Sequence, residues 1–368
     1  MSFLTIIEAF RDFDFEGHFN AVTDQDVRAA LAKDRLTQKD FLALLSEQAA
    51  PHLETMASKA RKLTLQHFGR TMGLYAPIYI SDYCSNHCTY CGFNSTNRFN
   101  RRKLTLAEVE TEARLLADTG IRHIILLTGE APAKTPLTYL EASVTVMRKY
   151  FSSVSLEIFP MDEAEYGVLN KAGADSLTVY QETYDREVYK QVHLSGKKRD
   201  YDWRLLAPER GARAGFRSIN IGALFGLGKI CQEAFFSGIH ARFLEHHYPN
   251  VEIGLSIPRM RKAEGAIDPR NILDDPGFVQ FITAFRLFLP KVGISISTRE
   301  APEFRDKLVH LGITRLSAGC KTDVGGYAKE TDTDTAQFQI SDERSVDQVV
   351  AMIRQNGYQP VFKDWDRI

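Results

Sequence analysis

The chain has 368 residues, 25% of them charged and 44% hydrophobic, with 47 acidic residues set against 46 basic ones. That balance excludes the basic surface of a nucleic-acid binder and the polybasic face of a membrane-surface protein. No apolar run approaches the ~20 residues of a membrane span. The opening Met1-Ser2-Phe3-Leu4-Thr5-Ile6-Ile7-Glu8 lacks a long apolar core, so no signal peptide is expected and the expected location is the cytoplasm.

Residues 1–70 read as a helical extension. Apolar residues recur at helical spacing in Phe41-Leu42-Leu44-Leu45 and Leu53-Met56-Ala60-Leu63. From residue 74 short β-branched runs alternate with longer amphipathic ones. The runs predict strands at 76–81, 123–128, 155–159, 176–180, 218–223, 252–257, 293–297 and 314–317. Amphipathic segments such as 106–119 and 276–289 lie between them, and Thr119-Gly120 and Ala172-Gly173 read as helix ends. Alternation of this length predicts a parallel sheet, and eight units predict an α/β fold, a (β/α)8 TIM-type barrel over 71–320. An open six-stranded barrel fits the same pattern if the weakest segments, near both ends, are not strands. Residues 321–368 form a C-terminal extension expected to pack on the barrel. It is rich in Asp and Thr, carries one helix at 346–355 and ends in Lys363-Asp364-Trp365-Asp366.

Three of the five cysteines crowd into Cys84-Ser85-Asn86-His87-Cys88-Thr89-Tyr90-Cys91, directly after the first predicted strand. That places them in the first loop at the barrel's C-terminal face, where barrel enzymes put their chemistry. A dense cysteine group in a reducing compartment is a metal site rather than a disulfide scaffold. Ferredoxin-type carriers close a cubane with four cysteines; three leave one iron open to a ligand, as a catalytic zinc is open. A zinc site with His87 as fourth ligand is the alternative, although zinc motifs usually pair two C-x2-C units.

The C-x3-C-x2-C spacing resembles the signature of the radical S-adenosylmethionine (SAM) superfamily. The resemblance implies one [4Fe–4S] cluster on Cys84, Cys88 and Cys91, with SAM on the fourth iron and Tyr90 packed against adenine. Thr128-Gly129-Glu130 resembles the motif whose carbonyls receive the SAM ammonium, which makes Gly129 and Glu130 cofactor residues; a favourable helix N-terminal acid is the plainer reading of Glu130. Glu182 after the fourth strand and Arg204 on the following helix match the groups that hold the SAM ribose and carboxylate. Gly222, in Ile221-Gly222-Ala223-Leu224-Phe225-Gly226, matches a degraded adenine-contacting motif or is simply part of a glycine-rich turn.

The cysteine run, Tyr180-Gln181-Glu182-Thr183-Tyr184, Gly196-Lys197-Lys198, Ser295-Ile296-Ser297-Thr298-Arg299-Glu300 and the terminal Lys363-Asp364-Trp365-Asp366 together resemble a narrower family. Its members are the radical SAM tyrosine lyases that supply 2-iminoacetate for the thiazole of thiamine. The resemblance implies cleavage of the Cα–Cβ bond of L-tyrosine to 2-iminoacetate (dehydroglycine) and p-cresol. It also implies flavodoxin or ferredoxin as reductant and a thiazole synthase (ThiG) as recipient of the product. Ser295, Ser297 and Arg299 are expected at the barrel mouth, where the guanidinium would clamp the substrate carboxylate; an Arg299–Glu300 salt bridge is the alternative. Arg259 and Arg261 are candidates for receiving the phenolic proton.

The related tyrosine lyase of hydrogenase maturation needs a second, C-terminal cluster, yet no cysteine follows Cys320. Tryptophan lyases fit the same residues, and a non-catalytic iron–sulfur or zinc module would need none of the mouth groups. His240, His246 and His247 read as surface histidines, Cys231 and Cys320 as buried thiols, and Phe235-Phe236 as packing residues. Trp365 reads the same way, unless its region belongs to a lid or a partner surface.

Overall fold

The computed structural model describes residues 2–328 and 336–365. Helices Phe3–Glu8, Phe15–Ala21, Asp24–Leu31, Gln38–Leu45 and Leu53–Phe68 make the N-terminal extension. Thr23 with Asp26, and Thr37 with Asp40, form capping boxes that fix two of these starts. The last helix stops at Gly69, where φ is 65°.

Eight parallel strands follow: β1 (Thr71–Ser81), β2 (His123–Thr128), β3 (Ser153–Glu157), β4 (Ser176–Glu182), β5 (Ser218–Ala223), β6 (Glu252–Ser256), β7 (Gly293–Ile296) and β8 (Arg315–Ser317). Each pairs with the next, and β8 returns to β1 with Gly73 opposite Arg315 and Tyr75 opposite Ser317. This closure settles the eight-stranded barrel over the open six-stranded one. All eight expected strands are present, with ends displaced by a few residues. The largest shift is at β1, which begins at Thr71 because a strand the sequence did not predict, β9 (Gln359–Val361), pairs with its first residues. Helices Leu106–Asp118, Asp275–Phe288 and Val346–Gln355 also form where periodicity predicted them.

The N-terminal helices lie on the outer helices Ile230–His247 and Asp275–Phe288. Phe41 stacks on Phe288 at 4.2 Å, and an added Cβ at Gly238 would come within 2.4 Å of the Phe41 ring. Gln280 Nε2 donates to the carbonyls of Leu44 and Ser46, closing the end of the fourth helix. Phe235 and Phe236 are buried in this layer as expected. His240 is not a surface residue: it is 1% exposed, stacked on Phe3 at 4.0 Å, with Nδ1 3.0 Å from the Tyr184 hydroxyl. His246 and His247 are exposed.

Alternate residues of the strands point inward. The lower interior holds Ser153, Ser155, Ser176, Ser218, Asn220, Ser256 and Ser295, a polar layer in place of the usual branched apolar one. Beyond β8 the chain crosses the upper mouth. Buried Glu112 accepts the N–H groups of Tyr327 and Ala328, and Ser341 and Asp342 donate their N–H groups to the carbonyl of Thr298. The chain end then reaches the opposite face. Asp364 pairs with His123 and Arg315, and Trp365 lies under Arg217, near the starts of β2, β8 and β5. Trp365 therefore packs at the barrel's floor and is no lid over the cysteines; Asp366 lies outside the described residues. Among the described residues no helix is long and apolar enough to cross a membrane.

Candidate active site

The loop after β1 is braced before any metal arrives. Ser85 donates through both its N–H and its hydroxyl to the carbonyl of Glu130, at 2.8 and 2.9 Å. Asn86 Nδ2 donates to the Glu130 carboxylate at 2.6 Å, and Asn86 Oδ1 accepts the N–H of Lys198. His87 and Cys88 form a short antiparallel ribbon with His193–Ser195. Arg101 holds the far side through the carbonyls of Asp82, Phe93 and Asn94. At Gly129 a Cβ would lie 2.4 Å from the Tyr83 carbonyl and 3.1 Å from the Cβ of Cys84, so only glycine lets β2 approach the cysteine loop. Gly129 and Glu130 thus stand behind the loop and shape it.

Cys88 is buried, Cys84 and Cys91 are partly exposed, and Cys91 faces the barrel cavity. Burial and repulsion from the neighbouring cysteines push the Cys88 thiol up to about 12 and the Cys91 thiol up to about 11, with Lys198 partly offsetting this. Such thiols ionise on meeting a strongly positive group, as metal-binding sites do. His87 lies in the ribbon, and among the described residues no cluster of three or more His, Cys, Asp or Glu side chains could hold a single metal ion. Three thiols on one braced loop suit a larger cluster.

Tyr90 is buried beside them. His193 Nδ1 sits 2.9 Å from the Tyr189 carbonyl, which only accepts, so that nitrogen carries the proton. Nε2 then accepts the Tyr90 hydroxyl at 2.8 Å. Burial holds His193 neutral, well below its ordinary range. The phenol is therefore fixed by a tautomer set one turn away.

Inside the mouth, Tyr75, Tyr79, Leu127, Glu157, Tyr180, Glu182, Lys198, Ser297 and Arg299 converge with Tyr90 and Cys91 on one cavity. The space between their atoms is about 970 Å³, part of it open to solvent, at the upper end of the range for small-molecule sites. Glu182 reaches it through a bulge: Tyr180 and Glu182 pair with consecutive residues of β5, and Gln181 is extra. Glu182 has φ 72°, the only positive φ of a non-glycine among the described residues. Backbone strain of this kind gathers at functional sites. Its carboxylate meets Lys198 Nζ at 2.7 Å and Arg204 Nη2 at 3.5 Å. Burial would raise Glu182, but Lys198 and Arg204 outweigh it and hold the group below the usual carboxylate range. Arg204 also donates to the Tyr180 carbonyl at 2.6 Å.

Two expected residues lie elsewhere. Ser295 belongs to the polar layer below the cavity, not to the mouth. Gly222 is in the β5 ladder, where a Cβ would come 2.0 Å from the Ser256 carbonyl. Its glycine serves strand packing. Arg299 does not pair with Glu300, whose carboxylate takes Arg259 and Arg261 instead. No carboxylate lies within ion-pair distance of Arg299 among the described residues, and its guanidinium stacks on Phe338 at 3.4 Å. Arg259 is thereby committed to Glu300, while Arg261 also touches the cavity.

The sequence reading missed Glu157, Gln337 and Phe338. Glu157 was legible as an acid at the end of a barrel strand. Gln337, which accepts the Tyr79 hydroxyl at 2.7 Å and approaches Cys91 Sγ at 4.0 Å, comes from the C-terminal extension and carries no local signal. Cys320 is buried and lines the cavity; Cys231 is only partly buried, against the carbonyl of Leu45.

Comparison with known proteins agrees with this geometry. Residues 78–232 match the Radical SAM superfamily and residues 256–359 the Biotin and Thiamin Synthesis associated domain. The chain is 40% identical over 366 residues to the 2-iminoacetate synthase of Escherichia coli (strain K12), covering 98% of this chain and 97% of that one. The 2-iminoacetate synthase of Salmonella typhimurium (strain LT2) is 39% identical over 354 residues, 96% of this chain and 94% of its own. The crystal structure of HydG, a maturase of the [FeFe]-hydrogenase, superposes with a TM-score of 0.90 at 29% identity, covering 96% of this chain and 80% of that one. With a cysteine loop at a closed barrel's mouth and relatives of this similarity over nearly its whole length, the chain belongs to the 2-iminoacetate synthase family of radical SAM enzymes.

Proposed function

We propose that this protein cleaves the Cα–Cβ bond of L-tyrosine to 2-iminoacetate and p-cresol, using one [4Fe–4S] cluster on Cys84, Cys88 and Cys91 and SAM on the fourth iron. Cys84, Cys88 and Cys91 would hold the cluster, which when bound and reduced would supply the one-electron chemistry that splits SAM and starts hydrogen abstraction at the substrate's amino group. The protein's own residues bind, orient and enclose. Tyr90 offers its ring to adenine, held edge-on to His193 at 87°. Glu182, fixed by Lys198 and Arg204, presents the polar end of the cofactor site. Gly129 and Glu130 hold the cysteine loop in place for it.

The observation that carries the substrate assignment is Arg299. A guanidinium held within the cavity without a carboxylate partner is costly, and a bidentate substrate carboxylate would complete it. Ser297, whose hydroxyl lies 3.4 Å from the Arg299 N–H, stands beside it to share the task. Leu224, Met260 and Phe338 form apolar walls that exclude water from the reacting centre. In the cell we place the enzyme in the cytoplasm, where its five free thiols stay reduced. Flavodoxin or ferredoxin would reduce the cluster, and a thiazole synthase would take the labile imine.

The test is anaerobic reconstitution, then dithionite, SAM and L-tyrosine, with p-cresol and 5′-deoxyadenosine followed by chromatography with mass detection. Both products from wild type and neither from Cys88→Ala is the expected result. 5′-Deoxyadenosine without p-cresol, together with cleavage of L-tryptophan, would replace tyrosine by tryptophan as substrate.

A further inference from the structure

Glu157 ends β3 on the strand's inward face, above Ser153 and Ser155. Among the described residues its carboxylate makes no hydrogen bond and no ion pair, yet it opens into the cavity. The groups that face it are Tyr75 and Tyr79 from β1, Tyr180 and Glu182 from β4, Lys198 and Arg204 from the segment that follows, and Arg299 beyond β7.

The other charges around the mouth are matched. Glu182 is held by Lys198 and Arg204, and Glu300 by Arg259 and Arg261. Among the described residues that line the cavity, this leaves one cation, Arg299, and one anion, Glu157, sharing a wall without an ion pair between them. Two partly buried charges of opposite sign, enclosed in one cavity and unpaired, are costly to hold apart. An α-amino acid offers a carboxylate and an ammonium on adjacent atoms, which matches this pair by sign.

We propose that Glu157 binds the α-ammonium of the substrate and takes a proton from it, while Arg299 holds the carboxylate. The reading rests on the tyrosine-lyase function above. In the step, one N–H bond breaks heterolytically and its electron pair stays on nitrogen. The proton goes to a Glu157 oxygen, and the carboxylate becomes a carboxylic acid as the ammonium becomes a neutral amine. No oxidant or reductant is involved. A hydrogen atom can then leave a nitrogen that keeps a lone pair, which is what cleavage of the Cα–Cβ bond needs. Burial, aided by the charge of Glu182 and opposed by Arg299, pushes Glu157 up to about 7. That suits a base working on an amine near neutral pH.

The experiment compares two ligands on reconstituted wild type, Glu157→Gln and Glu157→Asp. L-Tyrosine carries the amine; 3-(4-hydroxyphenyl)propanoate lacks it and keeps the carboxylate and phenol. Affinities are measured anaerobically by calorimetry with SAM present, and matching cluster absorbance shows that each variant has folded. Glu157→Gln is expected to weaken tyrosine by about tenfold or more while moving the desamino ligand less than about twofold. p-Cresol formation at saturating tyrosine should fall by roughly a hundredfold, and Glu157→Asp should recover part of both losses. Equal weakening of the two ligands, or of neither, would overturn the proposal. A wild type that forms no p-cresol would instead overturn the tyrosine-lyase reading, and the ligand comparison would still decide whether Glu157 recognises an amine.

Discussion

Arg299 and Gly129 show how little of a residue's role lies in its type alone. Arg299 matters because Glu300, its neighbour in sequence, is taken by two other arginines. Arg299→Lys keeps the charge but loses the planar fork. The expected result is a KM for tyrosine raised about tenfold or more, with SAM binding by calorimetry as the control that localises the effect. Gly129 matters because backbone fills the place a side chain would need. Gly129→Ala would push against the Tyr83 carbonyl, which cannot move away as a flexible side chain can. Iron and sulfide content after reconstitution should fall well below wild type, and full loading would show that the contact is relieved by backbone movement.

Between elements, the helix Ile230–His247 links the N-terminal layer to the end of β4. Its Glu233 accepts the Thr183 hydroxyl and, at 2.8 Å, the Tyr184 N–H, directly after the strained Glu182. Burial pushes Glu233 up to about 7, from an ordinary value of 4.5. The folded state therefore holds a proton that the unfolded state releases, so this contribution to stability is full below pH ~4.5 and is lost as pH rises through ~7. His193 and His240, both held neutral by burial, act in the opposite sense below their ordinary titration range. Only the difference between variants isolates Glu233. The melting temperature of wild type relative to Glu233→Gln should fall between pH 5 and pH 8, and a constant difference would refute the assignment. On the same helix, Gly238→Ala would force a methyl group into the Phe41 ring. A loss of about 1–3 kcal/mol in urea unfolding is expected from such overpacking.

For the molecule as a whole, the C-terminal extension ties the barrel's two faces together. Arg305 and Asp342 form a fully buried ion pair, and Arg305 also donates to the Ser317 carbonyl at the end of β8. Asp342 donates its N–H to Thr298, next to Arg299. Removing one partner leaves a buried charge uncompensated, which costs about 3–5 kcal/mol. Asp342→Ala should therefore lower thermal stability markedly and raise the tyrosine KM as well, because without the carboxylate's hold on Arg305 and Arg344 the segment whose backbone N–H groups anchor Thr298 is free to shift. Stability loss with an unchanged KM would show that the extension supports the barrel without shaping the mouth.

The repeating architecture and the cysteine loop were legible in local sequence. Periods of 2 and 3.6 residues and glycine stops are local signals, and they located all eight barrel strands; the C-x3-C-x2-C spacing is equally local. Tertiary structure decided what depends on distant neighbours. A three-residue strand such as β9 has no period to read, so its pairing with β1 appears only when the barrel closes. Ser295 and Ser297 share a strand face, yet only the upper one reaches the cavity, because depth in a barrel is set by stagger against other strands. His240 is buried because Phe3 folds back over it. Arg299 has no carboxylate partner among the described residues, and Glu157 shares its cavity, because charge pairing in the mouth is settled among side chains from separate segments of the chain. Local chemistry names candidate groups, but the packing that brings them together fixes which charge is left for a ligand.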